Sequence, residues 1–479
     1  MKDSREQHSN LLQNSCLWQI VDEIIWRIGR VLRYWRRYFV QSEFFAWLGR
    51  LEILRSLVGG CGQKLTEYWQ QSWLRYLSVF AGSNLARWRS CCRSLGVSHR
   101  WRTVLNGLII TLAVVMPQLG LWTWLIPFLV IALLLNGPER WPQSRSFVIF
   151  GLLLLFAAIF SEAGLLASWP RLRQLEYWLL LAWLVGAVFT EQLPDKVIRY
   201  TAATSPVWML NGFRQFLAGV PTAPGWLSPE QATVIPVRIH SGFGNPNYYA
   251  IYLLIITAFA AHLFQNATTR KLRYGWSAVL LLAVVSLYLT YSRAAWAIAC
   301  LLLVVIFWPN RNYRWWLWLG FGVMVSFSLP DFQARIGSVV SFNDSSFAYR
   351  LQIWQGVLQA IPHYWLWGTG PGQFGAVYPW FQQPGIIAGH AHQLFLQMWL
   401  ENGLLALIGF GMIIVRIFNG FRRSRGEYQV IYLLLLALLC YGWTESWDIH
   451  PFFGGYFWFL IGLTFIKPLP GKNMKNAAS

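Results

Sequence analysis

The chain has 479 residues, of which 56% are hydrophobic and only 12% are charged, which is the composition of an integral membrane protein. A net charge of +20 would suggest nucleic acid in a soluble protein, but most arginines and lysines here lie in short loops between apolar runs. We therefore expect contact with membrane lipids and no nucleic-acid partner. The six cysteines show no metal-ligand spacing, so neither a zinc site nor a disulfide framework is expected.

Residues 1–102 are basic and amphipathic, with sixteen Lys/Arg against seven Asp/Glu. Stretches such as WQIVDEIIWRIGRVLRYWRRYFV alternate apolar and cationic residues at helical spacing, which is typical of helices lying in a membrane interface. We expect a cytoplasmic or interfacial region here, with docking of a partner as the alternative. The region contains no apolar core long enough for a signal peptide.

Apolar runs long enough, or nearly so, to cross a hydrocarbon core of about 30 Å follow in series. Placing every basic loop in the cytoplasm requires one crossing more than the clear runs provide. The only candidate is the weak segment near 197–219, which contains Pro206. The sequence thus predicts an all-α polytopic membrane protein with about 12 transmembrane helices and both termini cytoplasmic. The clear runs lie near 103–118, 120–136, 145–161, 174–191, 245–265, 275–291, 294–308, 314–330, 391–416, 428–446 and 453–467.

This topology divides the rest of the chain into three parts. Residues 103–330 would contain transmembrane helices 1–9, residues 331–390 a large outer loop, and residues 391–479 helices 10–12 with a cytoplasmic tail. Loops of this length in compact proteins are usually functional or disordered. The outer loop contains an amphipathic helical pattern from Tyr349 to Ile361, which favours ordered structure.

Three arginines near the predicted outer surface are candidates for an anion site. Arg293 lies in a tight turn between apolar runs, where it either snorkels to headgroups or meets an anion. Arg350 has Trp354 at i+4, so a structural cation–π pair is the alternative to an anion ligand. Arg238 precedes a turn at Asn245 whose following helix N-terminus suits anions, although the turn could simply cap that helix.

His392 opens an apolar helix at the predicted outer boundary, where it could act as a general base or only as a cap. Gln393, Gln397 and Glu401 follow at helical spacing as one polar stripe, which would face the bundle interior for substrate binding or for structural hydrogen bonds. His390 and His392 lack a third ligand at suitable spacing, so no metal is expected. The GTGPGQFG segment lacks the lysine of a phosphate loop, which argues against a nucleotide.

The stretch from Tyr349 to Gly403 resembles the O-antigen ligase and polymerase superfamily of bacterial envelope proteins. That family has a histidine, then Asn, Ser or Gln, nine residues and a glycine, which His392, Gln393 and Gly403 match. The blocks FGNPNYYAIYLL and YSRAAWAI are also similar, and the arrangement of GNPN, SRAAW and AHQ most resembles the cyanobacterial IctB-type bicarbonate transporter subgroup. Ala406 departs from the residues that ligases often have there. Further matching residues are Arg350, Trp354, Pro362, Gly368, Gly370 and Phe374.

The resemblance implies a GT-C-like fold and a metal-independent, cofactor-free glycosyl transfer at the periplasmic face of the inner membrane. The donor would be a glycan on a polyprenyl diphosphate and the acceptor a hydroxyl. Arg293 and Arg350 would bind the diphosphate, and His392 would take or orient the hydroxyl proton. The substrate-binding candidates are Arg238, Asn245, Trp354, Gln393, Gln397 and Glu401.

Bicarbonate transport is the main alternative, because an arginine pair at an outer vestibule would also suit that anion. Transporters usually carry ionisable groups or paired broken helices near the bilayer midplane. In this sequence the midplane is poor in charge, with Glu401 as the best exception, and no paired broken helices are apparent. The residues therefore favour glycosyl transfer, with a non-catalytic membrane scaffold as a further alternative.

Overall fold

The computed structural model describes residues 145–188, 193–222, 237–308 and 345–466, together with Ile126, Leu129 and Ile235. Every regular element in these ranges is a helix, as the sequence predicts. The elements below belong to one compact unit, formed by Ile110–Ile126 and Arg140–Ser479. The basic N-terminal region and the predicted runs near 103–118, 120–136 and 314–330 lie outside the described residues, apart from Ile126 and Leu129.

The helices before the long outer segment are α1 Arg145–Phe160, α2 Gly164–Val188, α3 Leu193–Thr204, α4 Pro206–Leu217, α5 Pro246–Gln265, α6 Arg270–Leu289 and α7 Arg293–Phe307. Those after it are α8 Ser345–Tyr364, α9 Phe374–Val377, α10 Leu394–Arg423, α11 Gly426–Tyr441 and α12 Pro451–Leu463. Short 3₁₀ turns at Tyr378–Trp380 and Trp447–Ile449 follow α9 and α11.

The helices lie where the sequence predicts apolar spans. Among the described residues, α5, α6 and α10 are long and apolar enough to cross a membrane, and α1, α7, α11 and α12 are apolar but shorter. The weak segment near 197–219 forms two 12-residue helices, α3 and α4, which meet at Ser205 and Pro206. A helix of that length is only about 18 Å long. The crossing at this segment and the total of about 12 helices stay predictions.

Helix α5 lies at the centre of one group of helices, packed against α3, α6, α7 and α11. Every residue from Tyr249 to Phe264 is buried. A helix that is apolar on all faces requires such surroundings. In a second group α1 packs against α2 and α10, and α2 packs against α12. Helix α11 contacts members of both groups, so the loop that follows it lies where the two groups meet.

Helix α10 is broken at Gly403, whose backbone is left-handed and extended (φ 75°, ψ 174°). Carbonyl groups just before the break lose their helical partners and accept hydrogen bonds of 2.8 and 2.9 Å from the N–H groups of Thr369 and Gly370. The N–H of Leu404 donates to the carbonyl oxygen of Trp365 at 2.8 Å. The segment around Trp365–Gly370, in the predicted outer loop and hereafter the outer segment, is therefore fastened to the helix by backbone bonds, as buried polar groups require.

The break separates two parts of α10 with different surroundings. The part after it, Leu404–Arg423, is about 30 Å long and would cross a membrane by itself. The polar stripe of Gln393, Gln397 and Glu401 lies entirely before the break. These polar side chains therefore belong to the N-terminal end of α10 rather than to its apolar part.

Candidate functional site

His392 lies in the turn before α10 and has a left-handed backbone, with φ at 49°. This conformation costs a residue with a Cβ about 1–2 kcal/mol, so the surrounding structure must impose it. The carbonyl of the preceding residue, Ala391, accepts a hydrogen bond from Trp354 Nε1 at 3.0 Å. The N–H of Ala391 donates to Gln397 Oε1 at 2.7 Å. The peptide groups leading into His392 are thus held from two helices, α8 and α10.

The other side of the turn is fastened to the loop after α11. The N–H of Gln393 donates to Ser446 Oγ at 2.9 Å. The N–H of Leu394 donates to the carbonyl of Gly442 at 2.7 Å. These bonds bring the loop of residues 442–446 directly beside the histidine turn.

Glu445, in that loop, is the central group of the site, and its side chain is only 3% exposed. Its Oε1 lies 3.1 Å from His392 Nδ1 and 3.9 Å from His390 Nδ1. Its Oε2 lies 3.8 Å from Arg350 Nη2 and accepts a hydrogen bond of 3.4 Å from Asn247 Nδ2. A buried carboxylate is stable only with such partners. We name this group the outer cluster, after the predicted outer side of the membrane. Its members are Arg238, Asn247, Arg350, His390, His392 and Glu445.

The neighbours of Glu445 fix its ionisation. Burial alone would raise the pKa of its carboxyl, but the hydrogen bond and charge of His392 and the guanidinium of Arg350 outweigh burial and lower the pKa to about 2. Burial and then repulsion from His392 lower the pKa of His390 to about 4, against the attraction of Glu445. Near neutral pH Glu445 is therefore a carboxylate and His390 is uncharged.

The contact with Glu445 also sets the tautomer of His392. A carboxylate can only accept a hydrogen bond, so Nδ1 of His392 must carry the proton that it donates. In the neutral ring Nε2 then holds the free lone pair that a general base requires. The geometry prepares His392 to accept a proton on its far side.

Arg238 joins the outer cluster from the segment before α5. It is 5% exposed. Its Nε donates to the carbonyl of Thr290 at 2.9 Å, and its Nη2 donates to Asn247 Oδ1 at 3.3 Å. The guanidinium groups of Arg238 and Arg350 outnumber the single carboxylate of Glu445, so these three groups carry one net positive charge. This charge favours an anionic ligand.

The turn carrying Arg293 lies beside the outer cluster. Ser292 Oγ is 3.0 Å from the hydroxyl of Tyr441. That hydroxyl donates to the carbonyl of Asn247 at 3.3 Å. Arg293 itself is half-buried as the first residue of α7. The fold thus brings together turns that are far apart in the chain.

Residues 278–411 match the family model described as O-antigen ligase. This part of the chain is therefore similar to the O-antigen ligase family, and we call residues 278–411 the ligase-related segment. No curated protein matches the chain. The match supports the predicted superfamily and does not reach the IctB-type subgroup. The ligase-related segment contains Arg293, Arg350 and His392, whereas Arg238 and Glu445 lie outside it.

Several predicted substrate-binding residues make structural contacts. Asn245 Oδ1 accepts the N–H of Asn247 at 2.8 Å and caps α5. Gln393 Oε1 caps α10 in the same way. Glu401 Oε1 accepts the N–H of Phe374 at 3.2 Å and so holds the first turn of α9. The contacts of Gln393 and Glu401, with the bonds of Trp354 and Gln397 to Ala391, stabilise the ligase-related segment around His392.

The sequence did not reveal Glu445 or Asn247 as site residues. Glu445 lies 53 positions after His392, and no helical or strand spacing connects the two. The available signal is an acidic residue in the short TESWDIH loop between apolar runs. Asn247 lies in the GNPN block, where the sequence analysis predicts a role for Asn245 instead.

The fold supplies the third metal-ligand type that the sequence lacked beside the two histidines. One ligand atom from each of His390, His392 and Glu445 lies within 4.8 Å of the others. However, Oε1 of Glu445 faces Nδ1 of His392, and its Oε2 faces Arg350 and Asn247. Because the guanidinium of Arg350 would repel a cation, we interpret the group as a charge-paired cluster. That the reaction needs no metal stays a prediction.

Proposed function

We propose that this O-antigen ligase-related membrane protein transfers a glycan from a polyprenyl-diphosphate donor to an acceptor hydroxyl, without a metal or cofactor. The observation that carries the proposal is the buried Glu445 carboxylate between Nδ1 of His392 and the guanidinium of Arg350. One side of this arrangement supplies an oriented base, and the other supplies positive charge. Glycosyl transfer from a diphosphate requires both.

The proposed step follows from these positions. The acceptor oxygen forms a bond to the anomeric carbon while the bond from that carbon to the diphosphate oxygen breaks. Nε2 of His392 takes the hydroxyl proton, and Glu445 stabilises the imidazolium that forms. The bonding electrons leave with the diphosphate, whose growing charge Arg350 and Arg293 stabilise.

Arg350 is suited to this role because it is only loosely held. At 3.8 Å its contact with Glu445 is an ion pair that is too long for a hydrogen bond. Its donors are therefore not spent on the carboxylate and can turn to phosphate oxygens. Arg238 is fully hydrogen-bonded at Nε and more tightly buried, so we assign it the role of fixed positive charge.

We propose that the outer cluster lies at the periplasmic face of the inner membrane, with both termini cytoplasmic. Helix α10 ends with Arg422 and Arg423, and basic residues favour the cytoplasmic side. His392 lies at the opposite end of the same helix. A lipid-linked diphosphate would project from the bilayer at this level, so membrane lipids and the polyprenyl-linked glycan are the expected partners.

Bicarbonate transport of the IctB type is the competing proposal, and the break in α10 bears on it. An ion path would use the backbone groups that a broken helix exposes. Here those groups are bonded to Trp365, Thr369 and Gly370, and the Glu401 side chain is bonded to Phe374. The break is therefore used to fasten the outer segment, which favours glycosyl transfer.

The test is reconstitution of the full chain into liposomes. Donor is polyprenyl-diphosphate-linked oligosaccharide, and acceptors are extracted envelope lipids and glycans. We expect glycan transfer with release of polyprenyl diphosphate, and its loss in His392→Ala. His363→Ala, at an exposed histidine of α8, is the matched control. Uptake of labelled bicarbonate without glycan transfer would overturn the proposal in favour of transport, and neither activity would favour a scaffold.

A further inference from the structure

We propose that Trp354 and Gln397 are positioning residues that hold the strained His392 turn in its reactive conformation, and that neither binds substrate. The inference rests on the proposed role of His392 as base. It concerns a different property, the orientation of the imidazole, which can be measured without turnover.

Each of the two residues holds the turn through one polar atom of its side chain. Gln397 is 2% exposed, and its Oε1 accepts the N–H of Ala391 at 2.7 Å. The indole N–H of Trp354 donates to the carbonyl of the same residue at 3.0 Å. A substrate could take the single indole N–H of Trp354 only by breaking its bond to Ala391, and Gln397 is too buried for a substrate to reach it in this arrangement. Binding by these side chains would therefore unlock the turn.

Both bonds end on one buried residue. Ala391 is 0% exposed, and its N–H and its carbonyl are held by side chains from α10 and α8 respectively. Fixing both peptide groups of Ala391 fixes the direction in which the chain enters His392. The left-handed φ of 49° at His392 is the next torsion along the backbone.

Loss of either bond to Ala391 would release the His392 turn. A residue with a Cβ relaxes from the left-handed region towards right-handed or extended backbone. That change would swing the imidazole away from Oε1 of Glu445, now 3.1 Å from Nδ1. Arg293 and Arg350, which are proposed to bind the diphosphate, lie on α7 and α8 outside this turn and would stay in place. Loss of either bond should therefore lower kcat and leave the KM for the donor nearly unchanged.

The experiment uses the reconstituted full chain and three variants. Gln397→Met removes the acceptor at similar volume, Gln397→Glu keeps an acceptor oxygen, and Trp354→Phe removes the indole N–H. We expect kcat to fall about 10- to 100-fold in Gln397→Met and Trp354→Phe, with KM for the donor within about twofold, and Gln397→Glu to retain most activity. Because both bonds act on one residue, the double variant should lose less than the product of the single losses.

Trp399→Phe is the matched control, since it makes the same chemical change on α10, two residues after Gln397. The indole N–H of Trp399 donates to the carbonyl of Trp365 at 3.1 Å, away from the turn. We expect its kcat to stay near that of the unmodified chain. If it fell as far as in Trp354→Phe, the effect would be general loosening and the inference would be wrong.

The second readout is the rate at which diethyl pyrocarbonate labels His392, measured by mass spectrometry against the exposed His363 in the same molecule. Labelling of His392 should accelerate in Gln397→Met and Trp354→Phe and stay unchanged in Gln397→Glu and Trp399→Phe. Unchanged labelling and turnover in the first two variants, or a raised donor KM at constant kcat, would overturn the inference. If the unmodified chain transfers no glycan, the proposed function fails, and the labelling rates still decide whether the turn is positioned.

Discussion

Nδ1 of His392 and Oε1 of Glu445 lie 3.1 Å apart although 53 positions separate the two residues in the chain. The contact joins the turn before α10 to the loop after α11. It exists because the N–H groups of Gln393 and Leu394 are bonded to that same loop. The His392 ring and the Glu445 carboxylate are therefore held close together by hydrogen bonds between the segments that carry them.

Replacing Glu445 should separate orientation from binding. In Glu445→Gln the amide can donate a hydrogen bond, so the tautomer of His392 is no longer fixed and the imidazolium loses its counter-charge. We expect turnover to fall about 10²- to 10⁴-fold with a small change in donor KM, and Glu445→Asp to be intermediate. Steady-state transfer in liposomes measures both quantities.

The control for this change is Glu427→Gln in the first turn of α11, at the opposite end of that helix from the loop that carries Glu445. It should leave transfer unchanged. A Glu445→Gln variant with full turnover would show that His392 does not need the carboxylate. A large rise in donor KM alone would assign Glu445 to binding instead.

The helices and the main cations of the site could be predicted from the sequence. Apolar runs of membrane length indicate helices directly, because a hydrocarbon core permits few other structures. Arg293, Arg350 and His392 followed from short blocks that resemble a family. Arg350 and His392 meet at Glu445, and the turn before Arg293 contacts Tyr441 beside them. The roles of the three residues stay predictions.

Glu445 and the break at Gly403 could not be predicted in the same way. Each depends on pairing between distant segments, and neither residue has a periodic relation to its partner. The family pattern singles out Gly403 but predicts no break there, and glycine inside an apolar run is common in membrane helices. Trp354 is a substrate-binding candidate through its spacing to Arg350 and its match to the family, and Gln397 through the polar stripe, whereas the fold bonds both to Ala391.

Removal of metal ions tests whether the outer cluster acts without a metal. We expect glycan transfer to be unchanged by prolonged treatment with a strong chelator, because Arg350 and Asn247 occupy one side of the Glu445 carboxylate. Transfer is measured before and after treatment and after addition of Zn²⁺ or Mg²⁺. Loss of activity that one of these ions restores would mean that His390, His392 and Glu445 are metal ligands.

Gly403→Ala should prevent correct folding of the ligase-related segment. Its φ is 75°, and an added Cβ would lie 2.1 Å from the carbonyl oxygen of Leu366. Neither the backbone of α10 nor that of the docked segment can move without losing their mutual hydrogen bonds. We expect a loss of about 3 kcal/mol or more, seen as loss of monodisperse protein in detergent.

Gly411→Ala is the matched control for this prediction, because it lies eight residues further along the same helix and an added Cβ would meet nothing within 4 Å. It should leave the melting temperature unchanged or slightly raised. Equal behaviour of the two variants would contradict the break at Gly403.

Glu401 should act as a fastener of the outer segment rather than as a substrate ligand. Its Oε1 accepts the N–H of Phe374, and Glu401→Ala leaves that donor without its partner in a buried place. We expect faster hydrogen exchange over residues 368–377 and a lower melting temperature. The loss should be about 1–3 kcal/mol in the free energy of unfolding. A raised donor KM with unchanged exchange would instead support the substrate-binding role expected from the sequence.

Acidification should weaken the fold in two steps that belong to the outer cluster. Burial lowers the pKa of His390 from 6.5 to about 4. The neutral ring therefore stabilises the folded state fully above about pH 6.5, and this contribution is lost as the pH falls from 6.5 towards 4. The pKa of Glu445 is lowered from 4.5 to about 2, so its contribution is present above pH 4.5 and is lost as the pH falls towards 2.

The first step can be isolated with His390→Gln, which removes the titrating ring from the face shared with His392, Arg350 and Glu445. We expect the melting temperature of the unmodified chain in detergent to fall between pH 6.5 and 4. The contribution at stake is at most about 3 kcal/mol. The fall should be shallower in His390→Gln and unaltered in the exposed-site control His363→Gln. Equal slopes in all three proteins would show that His390 is not held neutral in the folded state, because only a difference in proton affinity between folded and unfolded chains makes stability depend on pH.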